Sequence, residues 1–386
     1  MTFEDTVGEL NSAYFFREFT YSRNTFRPTP RGELELADKV VWLDDLLIVS
    51  QIKERNAPVG TAPDRERRWF ADEVLKKATR QIRDTLGYLK GFPQIEVTNN
   101  RGHRFNLTTT QISHLHKLVI YHPNDLLPSE CRSRKHHTSR TAGLIHLIGS
   151  ADYLTILSTL VTPAEISEYL SFRETLANRW PDAMLAVSER AIVGQYIRNL
   201  PQELPGARFE AYVDVVQQTV KDWDISPIIR LFMDRKNTRG PKEADYRILK
   251  ELARLNRAQM AEFRKRWQFS MKKALADEFS VPNRFTASNG CGFVFIPLRR
   301  QDLPNRHNAL INFTRLNKYD QKLDRCIGLS FIAEGRGDWC DVQWCRMERA
   351  WTECPDLDTL LKQNYPFGPM RESRIERYGL PNKLLE

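Results

Sequence analysis

The chain has 386 residues, of which 41% are apolar and 28% charged, a composition typical of globular proteins with roughly two or three domains. No stretch approaches the roughly 18 uncharged apolar residues of a membrane helix, and the first residues lack a signal-peptide pattern, so we expect a cytoplasmic protein without a membrane partner. The formal net charge of +9 favours a polyanionic partner, because neutralising phosphates releases counterions. The six cysteines form no Cys-x-x-Cys pair, so we expect reduced thiols.

The first 125 residues alternate helical and strand-like patterns and predict one α/β domain. A short acidic helix at Thr6–Leu10 precedes an aromatic strand at Tyr14–Tyr21 and a proline-containing loop over residues 23–32. Two apolar strands follow at Leu34–Leu43 and Leu46–Lys53. A long helix is predicted from its N-cap, Asp64, to about Lys90. Further strands are predicted near residues 95–98, 104–107 and 117–121.

The remaining chain is predicted to form three regions. Residues 126–141 are polar and basic and are expected to be a linker or loop. Residues 142–281 are expected to be mostly helical, because apolar residues recur at helical spacing most clearly over Glu243–Phe279. Residues 282–386 contain strand-like runs and a short helix, which predict a small α+β domain of unknown role.

The two apolar strands predict a hairpin with a defined register. A two-residue turn at Asp44 and Asp45 places Leu43 opposite Leu46. Continued along the strands, this register places Asp38 directly opposite Gln51, so both side chains lie on the same face. The hairpin is apolar on both faces and therefore has to be covered on both, which predicts a mixed sheet flanked by helices.

Polar groups gather at one end of this hairpin. Lys53 shares the face of Gln51, because side chains two residues apart on a strand point the same way. A carboxylate, an amide oxygen and an ammonium group are thus expected together with Asp38 at the edge of an apolar sheet. Such groups are costly to bury without partners, and a bound cation is an obvious partner.

The order helix, strand, Asp-bearing strand, strand ending in Gln-Ile-Lys, long helix and strand resembles the core of the PD-(D/E)XK, restriction-endonuclease-like nucleases. The resemblance covers about the first 125 residues. It implies that Asp38 binds Mg²⁺ or Mn²⁺, that Gln51 supplies a second oxygen ligand, and that Lys53 assists the attacking water. Gln51 in place of the usual acid resembles a variant found in some restriction-like enzymes.

Other residues are candidates to complete the site that the resemblance implies. An acid from the first helix often adds a metal ligand, which favours Glu9, with Glu18 on the next strand as its rival. Glu35 lies on the opposite strand face from Asp38 unless a bulge intervenes. Lys77 and Gln81 on the long helix lie one turn apart and are possible additional contributors; a solvated helix face is the alternative.

The resemblance implies metal-dependent phosphodiester hydrolysis, most simply by an endonuclease on DNA rather than RNA. By analogy it suggests an effector of bacterial antiviral defence, with a homo-oligomer or an activating partner protein as further expectations. The alternative is a catalytically degenerate nucleic-acid-binding or scaffold subunit, because Gln51 removes one ligand charge. An interaction protein that assembles through its helical region is a third hypothesis.

A basic run in the expected linker is the candidate contact to nucleic acid. It comprises Arg132, Arg134, Lys135 and Arg140, which could follow a phosphate backbone. A solvated basic loop is the alternative interpretation of the same residues.

Overall fold

The predicted hairpin is present in the computed structural model, which describes residues 1–29, 32–56, 62–234, 243–335, 339–368 and 376–380. Leu43 lies opposite Leu46, as the two-residue turn predicts. Asp44 adopts a left-handed conformation with φ 59°, which aspartate tolerates better than most residues. The paired register ends at Lys39 and Ser50, so Asp38 lies immediately outside the ladder.

The hairpin belongs to a six-stranded mixed sheet with helices packed against it. The strands of this part of the chain are β1 (Thr20–Tyr21), β2 (Thr25–Thr29), β3 (Gly32–Glu35), β4 (Lys39–Leu43), β5 (Leu46–Glu54), β6 (Gln94–Thr98), β7 (Arg104–Thr108), β8 (His114–His122), β9 (His136–Ser139) and β10 (Gly143–Gly149). The sheet order is β1-β4-β5-β8-β10-β9, in which β5, β8 and β10 are parallel. Strands β2 and β3, and strands β6 and β7, form separate two-stranded sheets.

The chain before Asp38 differs from the prediction. Helix α1 (Phe3–Tyr14) is longer than expected and begins with a capping box formed by Thr2 and Asp5. The strand expected over residues 14–21 is therefore only the two-residue β1, and β2 occupies the expected loop. The single strand expected over residues 34–43 is interrupted, because the backbone N–H of Ala37 donates to Asn24 Oδ1 at 3.2 Å instead of joining a ladder.

The long helix α2 covers one face of the sheet. It consists of three contiguous segments, Pro63–Trp69, Phe70–Lys77 and Ala78–Gly91, the second of which is π-helical. It begins after Ala62, so the expected N-cap Asp64 lies in its first turn instead. Its buried residues pack with strands β8 and β10 in one apolar cluster that includes Phe70, Val74, Ala78, Ile82, Val119, Tyr121, Ile145 and Leu147.

The sheet continues beyond residue 125, where the first domain was expected to end. The expected linker contains helix α3 (Ser129–Arg132) and the edge strand β9, and the expected helical region begins with β10. The helices that follow are α4 (Ser150–Leu160), α5 (Pro163–Arg179), α6 (Pro181–Leu185), α7 (Glu189–Ile197) and α8 (Ala211–Gln218). Met1–Val220 form one compact unit and Lys221–Gly379 another.

The second unit contains a helical region and a four-stranded sheet. Its helices are α9 (Val220–Trp223), α10 (Ser226–Asp234), α11 (Glu243–Ala253), α12 (Arg257–Leu275), α13 (Arg306–Asp320) and α14 (Pro355–Gln363). The strands β11 (Asn283–Thr286), β12 (Cys291–Pro297), β13 (Arg325–Ala333) and β14 (Cys340–Glu348) lie in that order in the sheet. The single helix expected over residues 243–279 is two helices, because Asn256 forms a capping box with Gln259 and begins the second. Within the described residues, no helix combines the length and apolarity that membrane crossing requires.

Candidate functional site

Asp38 and Lys53 meet at the end of the hairpin. The Asp38 Oδ2 atom accepts a hydrogen bond from the backbone N–H of Ile52 at 2.6 Å and lies 3.6 Å from Lys53 Nζ. The side chain of Asp38 is 15% exposed and that of Lys53 is 9% exposed, so the pair lies at the rim of the core rather than in open solvent. The predicted proximity of the carboxylate and the ammonium group is therefore observed.

Gln51, the third residue of the predicted trio, lies on strand β5. It lies two residues before Lys53 on a continuous strand, so both side chains point to the face that helix α2 covers. Gln51 is buried, with 2% of the residue exposed. Its side chain thus lies in a desolvated environment on the strand face that also carries Lys53.

The surroundings of Asp38 raise its pKa. Burial raises the pKa of Asp38 above its ordinary value, and the positive charge of Lys53 and the hydrogen bond from Ile52 offset this only in part. The negative charge of Glu4 adds to the increase. The protein therefore does not fully compensate the charge of this carboxylate.

Glu35 belongs to the same electrostatic environment. Its side chain reaches solvent at the end of strand β3, yet the surrounding protein raises the pKa of Glu35, and the negative charge of Asp38 raises it further. Strand alternation alone would place Glu35 on the opposite face. The interruption between β3 and β4 removes that constraint and brings the two carboxylates within electrostatic range.

Two further residues, which sequence reasoning missed, complete this group. Glu4 on helix α1 pairs with Lys39, with Glu4 Oε1 2.5 Å from Lys39 Nζ. We name the rim cluster the set of Glu4, Glu35, Asp38, Lys39 and Lys53, which holds three carboxylates and two ammonium groups. Lys39 is adjacent to Asp38 in the sequence, and Glu4 lies in the first turn of the helix in which an acid was sought.

The other predicted acids have different surroundings. Glu9 lies on the exposed side of α1 and lines a polar cavity of about 500 Å³ whose described lining includes Lys39 but not Asp38. Glu18 is 1% exposed and pairs with Arg101 Nε at 2.7 Å. Glu18 is thus engaged by Arg101, whereas a contribution from Glu9 stays a prediction.

The two predicted contributors from helix α2 also differ from each other. Lys77 is exposed and pairs with Glu73 at 2.8 Å, one turn away on the same helix. Gln81 is half-buried, and its backbone carbonyl accepts a hydrogen bond from the Thr85 hydroxyl at 3.0 Å. The solvated-helix interpretation describes Lys77, whereas a contribution from the Gln81 side chain stays a prediction.

The basic run expected to contact nucleic acid is divided by the fold. Lys135 is 6% exposed, with its Nζ 4.0 Å from the buried carboxylate of Glu189, so it is not accessible to a phosphate backbone. The Arg132 guanidinium donates to backbone carbonyls of the preceding loop, among them that of Asp125 at 2.6 Å. Arg140 is exposed, and Arg134 lies beside His137.

The oxygen atoms at the rim are of the chemical types that bind a hard divalent cation. Carboxylate and amide oxygens, as on Asp38, Glu35 and Gln51, are the ligands that Mg²⁺ and Mn²⁺ accept, usually together with water. Burial is the main cause that raises the pKa values of the two carboxylates, and a bound cation would favour their charged forms. In the described part of the chain, no group of three or more His, Cys, Asp and Glu side chains is arranged to hold a metal ion.

Comparison with known proteins gives no relative for this chain: no family model, no curated protein and no solved structure matches it.

Proposed function

We propose that this protein hydrolyses phosphodiester bonds in DNA with the help of Mg²⁺ or Mn²⁺. The observation that carries the proposal is the Asp38 carboxylate 3.6 Å from the Lys53 ammonium group, with buried Gln51 beside Lys53 on the same strand face. The resemblance of the Asp38…Gln51-x-Lys53 pattern to PD-(D/E)XK nucleases supports the same reaction class. On that resemblance alone, we extend the proposal to an endonuclease that acts in defence against foreign DNA.

Four residues of the candidate site have roles that follow from their chemistry: Asp38, Gln51, Glu35 and Lys53. The oxygens of Asp38 and Gln51 would hold the ion, and Glu35 is the acid best placed by its electrostatics to add a third. The ion, when bound, supplies charge neutralisation at the phosphate and acidifies a water. The Lys53 ammonium group adds a fixed positive charge near the attacked phosphate, where negative charge increases in the transition state.

Plasmid cleavage with Mg²⁺ and with Mn²⁺ tests this proposal. We expect Asp38→Asn and Lys53→Ala each to lower the cleavage rate at least about 100-fold, because each removes a group that acts in the transition state. Asp72→Asn and Lys90→Ala are matched controls on the exposed face of helix α2 and should cut like the wild type. Cleavage by the two rim variants at the wild-type rate would contradict the proposed site.

A second candidate function is nucleic-acid binding without hydrolysis. One observation favours it: Asp38 Oδ2 already accepts the Ile52 N–H and lies within ion-pair distance of Lys53, so the protein itself supplies part of what a metal would. A wild-type protein that binds DNA but cuts it with neither metal would select this second function.

A further inference from the structure

A groove lies between the outer face of helix α2 and the edge strand β9. Its volume is about 340 Å³. The described residues that line it are Ala71, Leu75, Lys76, Thr79, Arg80, Arg83 and His137. We call it the α2 groove; its lining contains three cationic side chains and no acidic one.

The cations of the α2 groove are not balanced by the protein. Lys76, Arg80 and Arg83 are exposed and follow one another at spacings of four and three residues, and none of them forms a salt bridge to another described residue. Like charges at these spacings destabilise a helix. On the same helix, Lys77 by contrast is paired with Glu73 at 2.8 Å. Three cations without a salt bridge to a described residue therefore lie together on the side of the helix that faces the groove.

Arg134 brings a fourth cation to the edge of the groove. Its Nη2 atom lies 3.4 Å from Nδ1 of the groove residue His137. Burial lowers the pKa of His137, and the charge of Arg134 lowers it further, so the ring is neutral at pH 7. A neutral ring can hydrogen-bond to a ligand while the guanidinium supplies the charge.

We infer that the α2 groove binds the phosphodiester backbone of DNA. Exposed cations along a groove neutralise successive phosphates and release their counterions, which gives affinity independent of base sequence. The side chains of Ala71 and Leu75 offer apolar contact to sugars, and the Thr79 hydroxyl offers a hydrogen-bond donor. The choice of DNA as the polyanion rests on the proposed function; the charge pattern itself does not.

The test is the salt dependence of DNA binding, measured by fluorescence anisotropy with a labelled duplex of about 20 base pairs in EDTA, so that no cleavage occurs. Potassium chloride is varied from about 50 to about 200 mM. The triple variant Lys76→Gln, Arg80→Gln, Arg83→Gln is compared with Lys77→Gln, a matched control on the same helix whose cation is paired with Glu73. Glutamine is a good helix former and removes the like-charge repulsion, so the triple variant should melt no lower than the wild type.

A plot of log affinity against log salt has a negative slope, to which each phosphate contact contributes about −0.9. We expect this slope to be less steep in the triple variant by about 2 to 3. Its affinity at about 100 mM salt should fall at least tenfold, whereas Lys77→Gln should stay within about twofold of wild type. The inference is overturned if the wild type does not bind the duplex, if the triple variant binds like the wild type, or if Lys77→Gln weakens binding as much as the triple variant does.

These results also separate the groove from the rim. If DNA binding depends on the groove residues but the wild type cleaves no plasmid with either metal, the groove inference is supported and the proposed hydrolysis is contradicted. If the wild type cleaves DNA with a metal and the triple variant binds DNA as well as the wild type does, the groove inference is contradicted and the proposed hydrolysis is not.

Discussion

Two ionic clusters in the first unit differ in how their charge is balanced. The first is the rim cluster around Asp38. The second cluster is centred on Arg173 of helix α5, which is fully buried. Its guanidinium donates to the Glu189 carboxylate at 2.8 and 3.2 Å and to the backbone carbonyls of Lys135 and Leu147 at 2.9 and 3.0 Å. The Tyr169 hydroxyl also donates to Glu189.

The pKa of Glu189 is shifted in the opposite direction from those of Asp38 and Glu35, although Asp152, which is within electrostatic range of Glu189, also has a raised pKa. Burial opposes ionisation of Glu189, but the charge and hydrogen bonds of Arg173 lower the pKa of Glu189 below its ordinary value. At the rim, burial prevails and the pKa values of Asp38 and Glu35 are raised. The Glu189 carboxylate is balanced by Arg173, whose hydrogen bonds join helices α5 and α7 to strand β10. The charge of Asp38 is not fully compensated, so the rim cluster is incomplete in this sense, and carboxylates with perturbed pKa values are typical of functional sites.

The largest effect we expect is the loss of stability when the Arg173 cluster is broken. Arg173→Ala leaves the Glu189 carboxylate buried without its main counter-charge, which should lower the free energy of unfolding by about 3 to 5 kcal/mol in urea denaturation. Arg190→Ala is a matched control, because Arg190 pairs with Asp214 at the surface and such pairs contribute up to about 1 kcal/mol. If both variants lose the same small amount of unfolding free energy, the Arg173 cluster does not stabilise the core in this way.

A smaller effect is expected from His116, which lies near the same cluster on strand β8. Burial lowers the pKa of His116 to about 4, followed by the charge of His114. Because the unfolded chain takes up this proton near pH 6.5, the stabilisation is present above that pH and is lost as the pH falls from about 6.5 to about 4.

The free energy of unfolding of the wild type should therefore fall by about 3 kcal/mol more than that of His116→Asn as the pH is lowered from about 6.5 to about 4. The measurement is urea denaturation at a series of pH values. His307→Asn is the control, because His307 is exposed and is not among the residues that shift the pKa of His116. Its profile should follow that of the wild type. Identical profiles for wild type and His116→Asn would contradict the buried, neutral state of this ring.

The sequence predicted those parts of the site that depend on local geometry. The turn at Asp44 set the register of the hairpin, and strand alternation placed Gln51 and Lys53 on one face. These features need only the chain between residues 38 and 53. The strands and helix predicted in the C-terminal region depend on equally local apolar runs and are also present.

The rest of the site depends on contacts between distant residues. The polar sequence of strand β9 predicts a linker. Its place at the sheet edge depends on pairing with β10 and on the hydrogen bond from Arg173 to the Lys135 carbonyl, which the local sequence does not reveal. Glu4 approaches the rim only because helix α1 packs against strand β5, and its nearest cation, Lys39, is set by that packing. Glu4 lies on the same helix as the predicted acid Glu9, in its first turn.

The most direct test of the incomplete rim is Mn²⁺ binding by isothermal titration calorimetry, paired with thermal unfolding. We expect the wild type to bind Mn²⁺ and to gain about 2.7 kcal/mol of stability when the ion is present at about 100 times its dissociation constant. Asp38→Asn keeps an acceptor for the Ile52 N–H but lacks the carboxylate charge, so it should show neither binding nor stabilisation. A wild type that binds no Mn²⁺, or an Asp38→Asn variant that binds it equally well, would contradict the account.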